Sequence, residues 1–343
     1  MAEAVYLVPL RRTAVHPAEL AELAGYLRDL AQRVPVVVAD GSPARVRRRH
    51  AAAWGPGIRT VVVPQPAPGA NGKVAGVRVG LAATTQPLVV VADDDVRYDA
   101  AALDRVLAAL EHADLVVPQN VFAPAPWHAR WDTARSLVNR ALGHDYAGTV
   151  ALRRAALGEA GYDARVLFEN LELERTVRAR GGRVTHALDL FVERRPPEVR
   201  RFAEQRVRQA YDSLAQPPRL LAELALAPLL LASTVAAARH GRTGRQGRAA
   251  LALVLGGAVL LAEVGRRRAG GTDRFPATAA LWAPAWVLER GLCAWLAVGR
   301  ALSGGMPYAG TRVRTAAHSV GRLRREIFLQ GCPDRPRGRI VNE

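Results

Sequence analysis

The stretch PLVVVADDDV, residues 87–96, is an apolar run that ends in three consecutive aspartates, Asp93, Asp94 and Asp95. An uninterrupted Val-rich run of this length is typical of a strand that is buried on both faces, as strands of parallel sheets are. In open α/β sheets, ligands collect at the carboxyl ends of the strands. The stretch therefore predicts a ligand site at the end of a buried strand.

The first half of the chain repeats this pattern. Further strands are predicted at 4–10, 34–42, 58–64 and 114–120, and helical segments separate them. The segment 17–33, for example, has Leu20, Leu23, Leu27 and Leu30 on one helical face. This alternation predicts an α/β fold with a mostly parallel sheet that carries helices on both faces.

The character of the sequence changes after residue 217. Three apolar segments, 220–238, 249–264 and 277–302, are separated by basic loops. We expect a membrane-embedded or interfacial module at 218–303, between a domain at 1–217 and a basic tail at 304–343. Buried helices of a soluble domain are the alternative. The start of the chain, MAEAVYLVPLRR, does not have the pattern of a signal peptide, so the first domain is expected on the cytoplasmic face of the cell membrane.

The charge balance leaves several partners open. Lys+Arg 48 against Asp+Glu 31 gives a formal net charge of +17. Such a charge suits nucleic acid, an anionic membrane surface or a phosphorylated substrate. Nucleic acid is not expected, because no helix-turn-helix, zinc finger or aromatic RNA-binding motif is present. Every basic residue except Lys73 is an arginine, which singles out this lysine.

The aspartate triplet needs a cation. Three adjacent carboxylates in a partly buried cleft repel one another, and hard oxygen ligands of this kind suit Mg²⁺ or Mn²⁺. These ions commonly bridge a carboxylate to diphosphate oxygens, and a nucleotide sugar carries a diphosphate. A helix cap or a solvated turn is the plain structural alternative for such a cluster.

Several motifs in order resemble family 2 glycosyltransferases of the GT-A fold. VVVADGS (36–42), NGKVAGVRVGL (71–81) and VVVADDDV (89–96) are similar to the nucleotide-binding half of that family. DYAGTVALRRAAL (145–157), FENLELERTVRARGGRV (168–184) and QRVRQ (205–209) are similar to its acceptor-side elements. The resemblance covers about residues 4–215 and implies a GT-A domain.

The resemblance also implies roles for individual residues. It assigns the metal to Asp95 and the ribose side of the nucleotide to Asp93. The other residues that it places around the donor are Asp40, Lys73, Asp94, Gln205 and Arg208. Asp40 would accept hydrogen bonds from the base or ribose, and an Asp-Gly-Ser turn is the structural alternative.

The expected catalytic base is missing from its usual position. The acceptor hydroxyl needs a base within hydrogen-bond reach, and the family supplies the aspartate of a Glu-Asp pair where this chain has Asn170. Glu169 and, three residues later on the same helix face, Glu172 are the substitutes that we predict. Acids that merely complement the helix dipole are the alternative.

These observations predict a membrane-associated glycosyltransferase that uses Mg²⁺ or Mn²⁺, and the resemblance to family 2 implies that it is inverting. It would move one sugar from a nucleotide sugar to a lipid-linked acceptor at the cytoplasmic membrane face. Gln209 stands where chain-building members have a tryptophan, which argues against a processive polymerase. Two other functions stay open: a non-catalytic nucleotide-binding membrane protein, which Asn170 suggests, and a nucleotidyltransferase.

Overall fold

The computed structural model describes residues 3–159, 161–308 and 310–330. A mixed eight-stranded sheet forms its first part, with strands in the order β3-β2-β1-β4-β7-β6-β8-β5. The strands are β1 (Ala4–Leu10), β2 (Val36–Asp40), β3 (Ile58–Val62), β4 (Leu88–Ala92), β5 (Val96–Arg97), β6 (Leu115–Phe122), β7 (Thr149–Arg153) and β8 (Val184–Arg194).

The sheet is parallel except around two strands. β1 to β4 pair in parallel, and so do β6 and β8. β7 runs antiparallel to both β4 and β6, and the two-residue β5 runs antiparallel to β8. Residues 4–10 were predicted as a strand with the bounds that β1 has. The predicted mostly parallel sheet is confirmed.

Helices cover both faces of this sheet, as predicted. They are α1 (Pro17–Ala31), α2 (Ala44–Trp54), α3 (Gly72–Ala82), α4 (Ala100–Ala109), α5 (Trp127–Leu142), α6 (Glu169–Ala179) and α7 (Val199–Tyr211). Successive residues of β1 point to opposite faces, so Tyr6 and Val8 pack with α1, α2 and α4. Val5 and Leu7 pack with α3 and α6 on the other face. This two-sided core fixes the strand ends at which the polar residues gather.

Three long apolar helices follow: α8 (Pro217–Ala237), α9 (Gly241–Arg267) and α10 (Ala283–Leu302). Pro217–Ala237 and the helical run Gly241–Asp273 are long and apolar enough to cross a membrane, with mean hydropathy 1.9 and 1.7. These values are for the apolar 18-residue window within each helix, and only 17% of that window is buried within the chain. Length and composition alone do not separate a span from an interfacial helix.

The apolar helices are joined to the sheet domain. The side chain of Arg140, which is fully buried in α5, donates to the backbone oxygens of Gly265 in the last turn of α9 and of Arg268 directly after it. Gly265 lies so close to α5 that a Cβ there would come within 1.8 Å of the Leu137 oxygen. α9 is therefore fixed to the sheet domain at its carboxyl end.

The segment expected as a basic tail is partly folded. β9 (Met306–Tyr308) and β10 (Thr311–Val313) form a hairpin, and α11 (Val320–Gln330) follows. Tyr308 donates a hydrogen bond to Asn71 at 3.2 Å, and the Leu167 amide donates to Thr315 at 3.0 Å. The hairpin thus packs beside α3. Residues 331–343 of the expected tail lie outside the described residues.

Candidate active site

The aspartate triplet lies at the carboxyl end of β4, as predicted. The Asp93 amide donates to the Gly148 oxygen at 2.9 Å, and the Val96 amide donates to the Asp93 oxygen at 3.1 Å, which turns the chain into β5. Asp93, Asp94 and Asp95 all line one cavity of about 340 Å³. Gly148 makes room for them, because a Cβ there would lie 2.9 Å from Asp93 Oδ2.

Lys73 lies at the centre of a charged cluster in this cavity. Its Nζ is 2.7 Å from Asp93 Oδ1, 3.0 Å from Glu169 Oε1 and 3.3 Å from Asn170 Oδ1. Asn71 caps α3 by accepting from the Lys73 amide, which fixes where the side chain starts. Burial alone would lower the pKa of Lys73, but Asp93 and Glu169 raise it strongly, so the ammonium stays charged.

Asp95 is bound by an arginine that sequence analysis did not single out. Arg194, the last residue of β8, places its Nε 3.0 Å from both carboxylate oxygens of Asp95 and its Nη2 3.4 Å from Asp93 Oδ2. Burial raises the pKa of Asp95 although Arg194 opposes this shift. The guanidinium thus holds two carboxylates together.

The two aspartates fit a divalent cation on one condition. Their oxygens are the hard donors that Mg²⁺ and Mn²⁺ prefer, and both face the same cavity. Arg194 already occupies the space between them, so it must move aside for an ion to reach Asp95. The Arg194 side chain is 28% exposed, so it can rotate towards solvent without displacing the core.

Two predicted donor residues are engaged elsewhere. Asp94 pairs with Arg12 at 2.8 Å. The Asp40 carboxylate is fully buried, accepts from the Ser42 amide at 2.8 Å and lies 2.7 Å from His50 Nδ1. Burial would raise the pKa of Asp40, but these hydrogen bonds lower it. Asp40 therefore forms the Asp-Gly-Ser turn, and only its chain neighbours Ala39 and Gly41 line the cavity.

The two candidate bases are separated by the structure. Glu169 begins α6 and lines the cavity. Glu172 does not line it: its side chain is fully buried behind the helix, where it accepts from the His318 amide at 2.7 Å and lies 2.9 Å from His318 Nδ1. The structure thus contradicts the prediction that Glu172 is a catalytic base, because α11 and the segment before it cover that side of α6.

Gln205 and Arg208 line the same cavity from α7, as expected. The Arg208 guanidinium carbon lies 5.0 Å from the centre of the Tyr308 ring, which also lines the cavity. Burial alone would lower the pKa of Arg208; Glu169 and other nearby carboxylates raise it. Arg208 therefore brings a fixed positive charge to the cavity.

Two further charged residues in the cavity were missed by sequence reasoning. Asp212 follows α7, and Arg290 lies in the middle of α10. Among the described residues, Asp212 Oδ1 and all three guanidinium nitrogens of Arg290 are buried without a hydrogen-bond partner. A charged residue within an apolar helix was the available signal for Arg290; no pattern marked Asp212.

A second group of potential metal ligands lies outside this cavity. His144, Glu174 and His186 place ligand atoms within 4.8 Å of one another. The Glu174 carboxylate is already engaged, since it binds His186 at 3.0 Å and Arg178 at 2.9 Å. The two imidazole rings stack 3.4 Å apart, so their lone pairs run side by side rather than converging.

No protein-family model matches the chain, and no curated protein matches it. Solved structures do. A mannosyltransferase, PcManGT from Pyrobaculum calidifontis in complex with GDP-Man and Mn²⁺, is 15% identical with TM-score 0.46, over 85% of this chain and 87% of that one. Mannosyl-3-phosphoglycerate synthase from Rubrobacter xylanophilus is 14% identical with TM-score 0.41, over 60% and 70%. Glucosyl-3-phosphoglycerate synthase from Mycobacterium tuberculosis is 16% identical with TM-score 0.39, over 59% and 76%.

Proposed function

We propose that this chain is a metal-dependent, inverting glycosyltransferase that takes one sugar from a nucleotide-sugar donor. One observation carries the proposal: Lys73, the pair Asp93 and Asp95, and Glu169 come from three separate parts of the sequence and meet in one cavity at the strand ends. The cavity volume, about 340 Å³, lies within the range of small-molecule sites. Gly148, which leaves room beside Asp93, supports the same placement.

Different charged residues would bind the phosphates of the donor and the metal ion. Lys73 supplies a compact positive charge that can approach a phosphate oxygen, and Arg208 faces the same space from α7. Asp93 and Asp95 would hold a Mg²⁺ or Mn²⁺ ion once Arg194 turns away. That ion would neutralise the charge that grows on the nucleoside diphosphate as the sugar leaves. Inversion of the anomeric carbon is what the resemblance to family 2 implies.

The acceptor is proposed to be lipid-linked, and the chain to act at the cytoplasmic face of a membrane. The support is the apolar surface of α8 to α10, where large side chains are exposed: Leu221, Leu229, Leu231, Val235, Leu253, Leu260, Val264, Leu288, Leu292, Trp295 and Leu296. Apolar patches of this extent are typical of membrane or partner contacts. Arg290 joins this surface to the cavity, because α10 contributes to both.

The proposal is tested by incubating the purified full-length chain with a panel of nucleotide sugars that includes GDP-mannose and UDP-glucose. Each donor is offered with and without Mn²⁺, together with a detergent-dispersed bacterial lipid extract. We expect one donor to release its nucleoside diphosphate and to label the lipid only when Mn²⁺ is present. The proposal fails if no donor is turned over.

A non-catalytic nucleotide-binding protein is the second candidate, and Asn170 favours it. An amide cannot accept a proton at neutral pH. This candidate predicts Mn²⁺-dependent binding of a donor with no hydrolysis and no transfer in the same assay. A nucleotidyltransferase has less support, since the segment after β1, RRTAVHP, offers arginines but no glycine.

A further inference from the structure

The residues at the position that normally supplies the base, Glu169 and Asn170, already bind other groups of the chain. Asn170 donates to the Ala147 oxygen at 2.9 Å and accepts from Lys73 at 3.3 Å. Glu169 is 3.0 Å from the Lys73 ammonium, which also binds Asp93. A carboxylate that holds this lysine stabilises the donor side of the cavity. Taking a proton there would weaken the pair on which the cluster depends.

Asp212 is free of such ties. It follows the last turn of α7, one helical turn beyond Arg208, and it lines the cavity. Its Oδ1 is buried with no hydrogen-bond partner, and no cationic side chain lies within 4.0 Å of its carboxylate, in the part of the chain that the structure describes. A buried acceptor atom without a partner is costly unless a ligand or water supplies the hydrogen.

The charges around Asp212 suit proton transfer. The groups that face it are Arg208 on its own helix, Glu169 on α6, Arg219 on α8 and Arg290 on α10. Burial raises the pKa of Asp212 to about 7, with Arg208 opposing and Glu169 adding to the shift. A base whose pKa lies near the working pH combines a useful deprotonated fraction with proton affinity.

We propose that Asp212, rather than Glu169, is the general base of the transfer. This inference rests on the proposed function. The acceptor O–H proton passes to Oδ1 of Asp212 while the acceptor oxygen forms its bond to the anomeric carbon. The bond from that carbon to the diphosphate oxygen breaks, and its electron pair leaves with the nucleoside diphosphate. Glu169 keeps the Lys73 ammonium in place and is a positioning residue.

Water serves as the acceptor in the test, since hydrolysis needs the same proton transfer. Release of nucleoside diphosphate from GDP-mannose and from UDP-glucose is measured with Mn²⁺ from pH 5.5 to 8.5. The variants are Asp212→Asn, Asp212→Glu and, as the matched control, Glu169→Gln. Binding of the nucleoside diphosphate with Mn²⁺ is measured in parallel, and retained binding shows that a variant is folded.

In the parent chain we expect kcat to rise with pH and to level off above about pH 7. Asp212→Asn should lower kcat by about 100-fold or more and remove this rise, while diphosphate binding changes less than about threefold. Asp212→Glu should restore part of the rate, and Glu169→Gln should keep the pH profile but raise KM. The inference is overturned if Asp212→Asn keeps the parent's rate and profile while the parent turns over donor. A parent that binds but does not turn over either donor overturns the proposed function as well.

Discussion

The cavity has two halves that differ in how their charges are satisfied. In the donor half, formed by Lys73, Asp93, Asp94, Asp95 and Glu169, every named charge has a partner within 3.0 Å. In the inner half, formed by Gln209, Asp212 and Arg290, each side chain has a buried polar atom without a partner among the described residues. Such atoms cost about 1–3 kcal/mol each unless something binds them. The donor half is therefore built in advance, whereas the inner half is completed by what enters it.

The halves also come from different parts of the fold. Strand ends and the first turns of α3 and α6 build the donor half, and these elements are fixed by the two-sided core. The end of α7 and the middle of α10 build the inner half. α10 belongs to the apolar helices, so the inner half depends on how those helices sit against the sheet domain. In the proposed function, this arrangement would put the acceptor next to the exposed apolar surface of α8 to α10.

The largest effect that would sharpen this comparison is expected at Lys73. Lys73→Met leaves Asp93 and Glu169 without their shared cation and removes the positive charge that faces the phosphates. We expect kcat/KM for Mn²⁺-dependent donor hydrolysis to fall by about 100-fold or more. Arg78→Met, an exposed position on the same helix, is the control and should stay near the parent. If kcat/KM of Lys73→Met stays within about threefold of the parent value, Lys73 does not have the role assigned to it in the donor half.

The next largest effect concerns the apolar surface beside the inner half. Leu253→Glu with Leu260→Glu places two charges on one face of α9, where both leucines are more than two-thirds exposed. Each buried leucine contributes about 1.5–3 kcal/mol to lipid contact, so binding to phosphatidylglycerol–phosphatidylethanolamine vesicles should fall at least about tenfold. Cosedimentation with the vesicles measures the fraction of protein that is bound. Leu142→Glu, an equally exposed leucine on α5, is the matched control; equal loss in both variants would show that α9 has no special role.

Arg194 offers a smaller effect within the donor half. Because its guanidinium occupies the space between Asp93 and Asp95, Arg194→Ala should strengthen Mn²⁺ binding without nucleotide by about tenfold, or about 1.4 kcal/mol. Calorimetric titration of Mn²⁺ gives this value. Arg195→Ala is the neighbouring control, since Arg195 pairs with Glu22 instead. Weaker Mn²⁺ binding in Arg194→Ala would show that the arginine does not compete with the ion.

The smallest effect is expected behind α6. Glu172→Gln weakens the contact with His318 and should lower the free energy of unfolding by about 1–3 kcal/mol without changing the rate per folded molecule. The hydrogen bond to Glu172 raises the pKa of His318. Because the pKa of His318 is higher in the folded state, its contact with Glu172 stabilises the folded protein fully below the ordinary histidine pKa near 6.5. This stabilisation is lost as the pH rises through the folded-state pKa. Thermal unfolding at pH 5.5 should therefore show a larger loss than at pH 8.5, with exposed Glu111→Gln as the control.

The sequence predicted the aspartates of the donor half because they follow a regular strand, whereas Lys73 and Glu169, at the starts of helices, came from the family resemblance. The Val-rich runs that became β1, β2 and β4 are apolar throughout, so their ends could be located, and Asp93 and Asp95 with them. Asp40 was misplaced because turn formation and ligand binding favour the same residue at a strand end. In the structure the Asp40 carboxylate belongs to the turn, where it contacts the Ser42 amide and the His50 side chain.

The inner half could not be read from the sequence for a physical reason. Arg194, in the donor half, was missed as well, because its strand β8 mixes polar and apolar residues and gave no clear periodic signal. Asp212 and Arg290 are 78 residues apart in the numbering and become neighbours of one cavity only when α10 packs against α7. Tyr308 reaches the cavity through a hairpin in a segment expected to be a tail. Long-range packing of this kind leaves no local pattern.

The most direct test of the donor half is a titration of nucleoside diphosphate, GDP and UDP in turn, with and without Mn²⁺ in the parent and in Asp95→Asn. We predict that Mn²⁺ strengthens binding of one diphosphate to the parent by at least about tenfold, or about 1.4 kcal/mol, and changes binding to Asp95→Asn by less than about twofold. Equal binding with and without Mn²⁺ in the parent, or an undiminished Mn²⁺ effect in Asp95→Asn, would contradict the account.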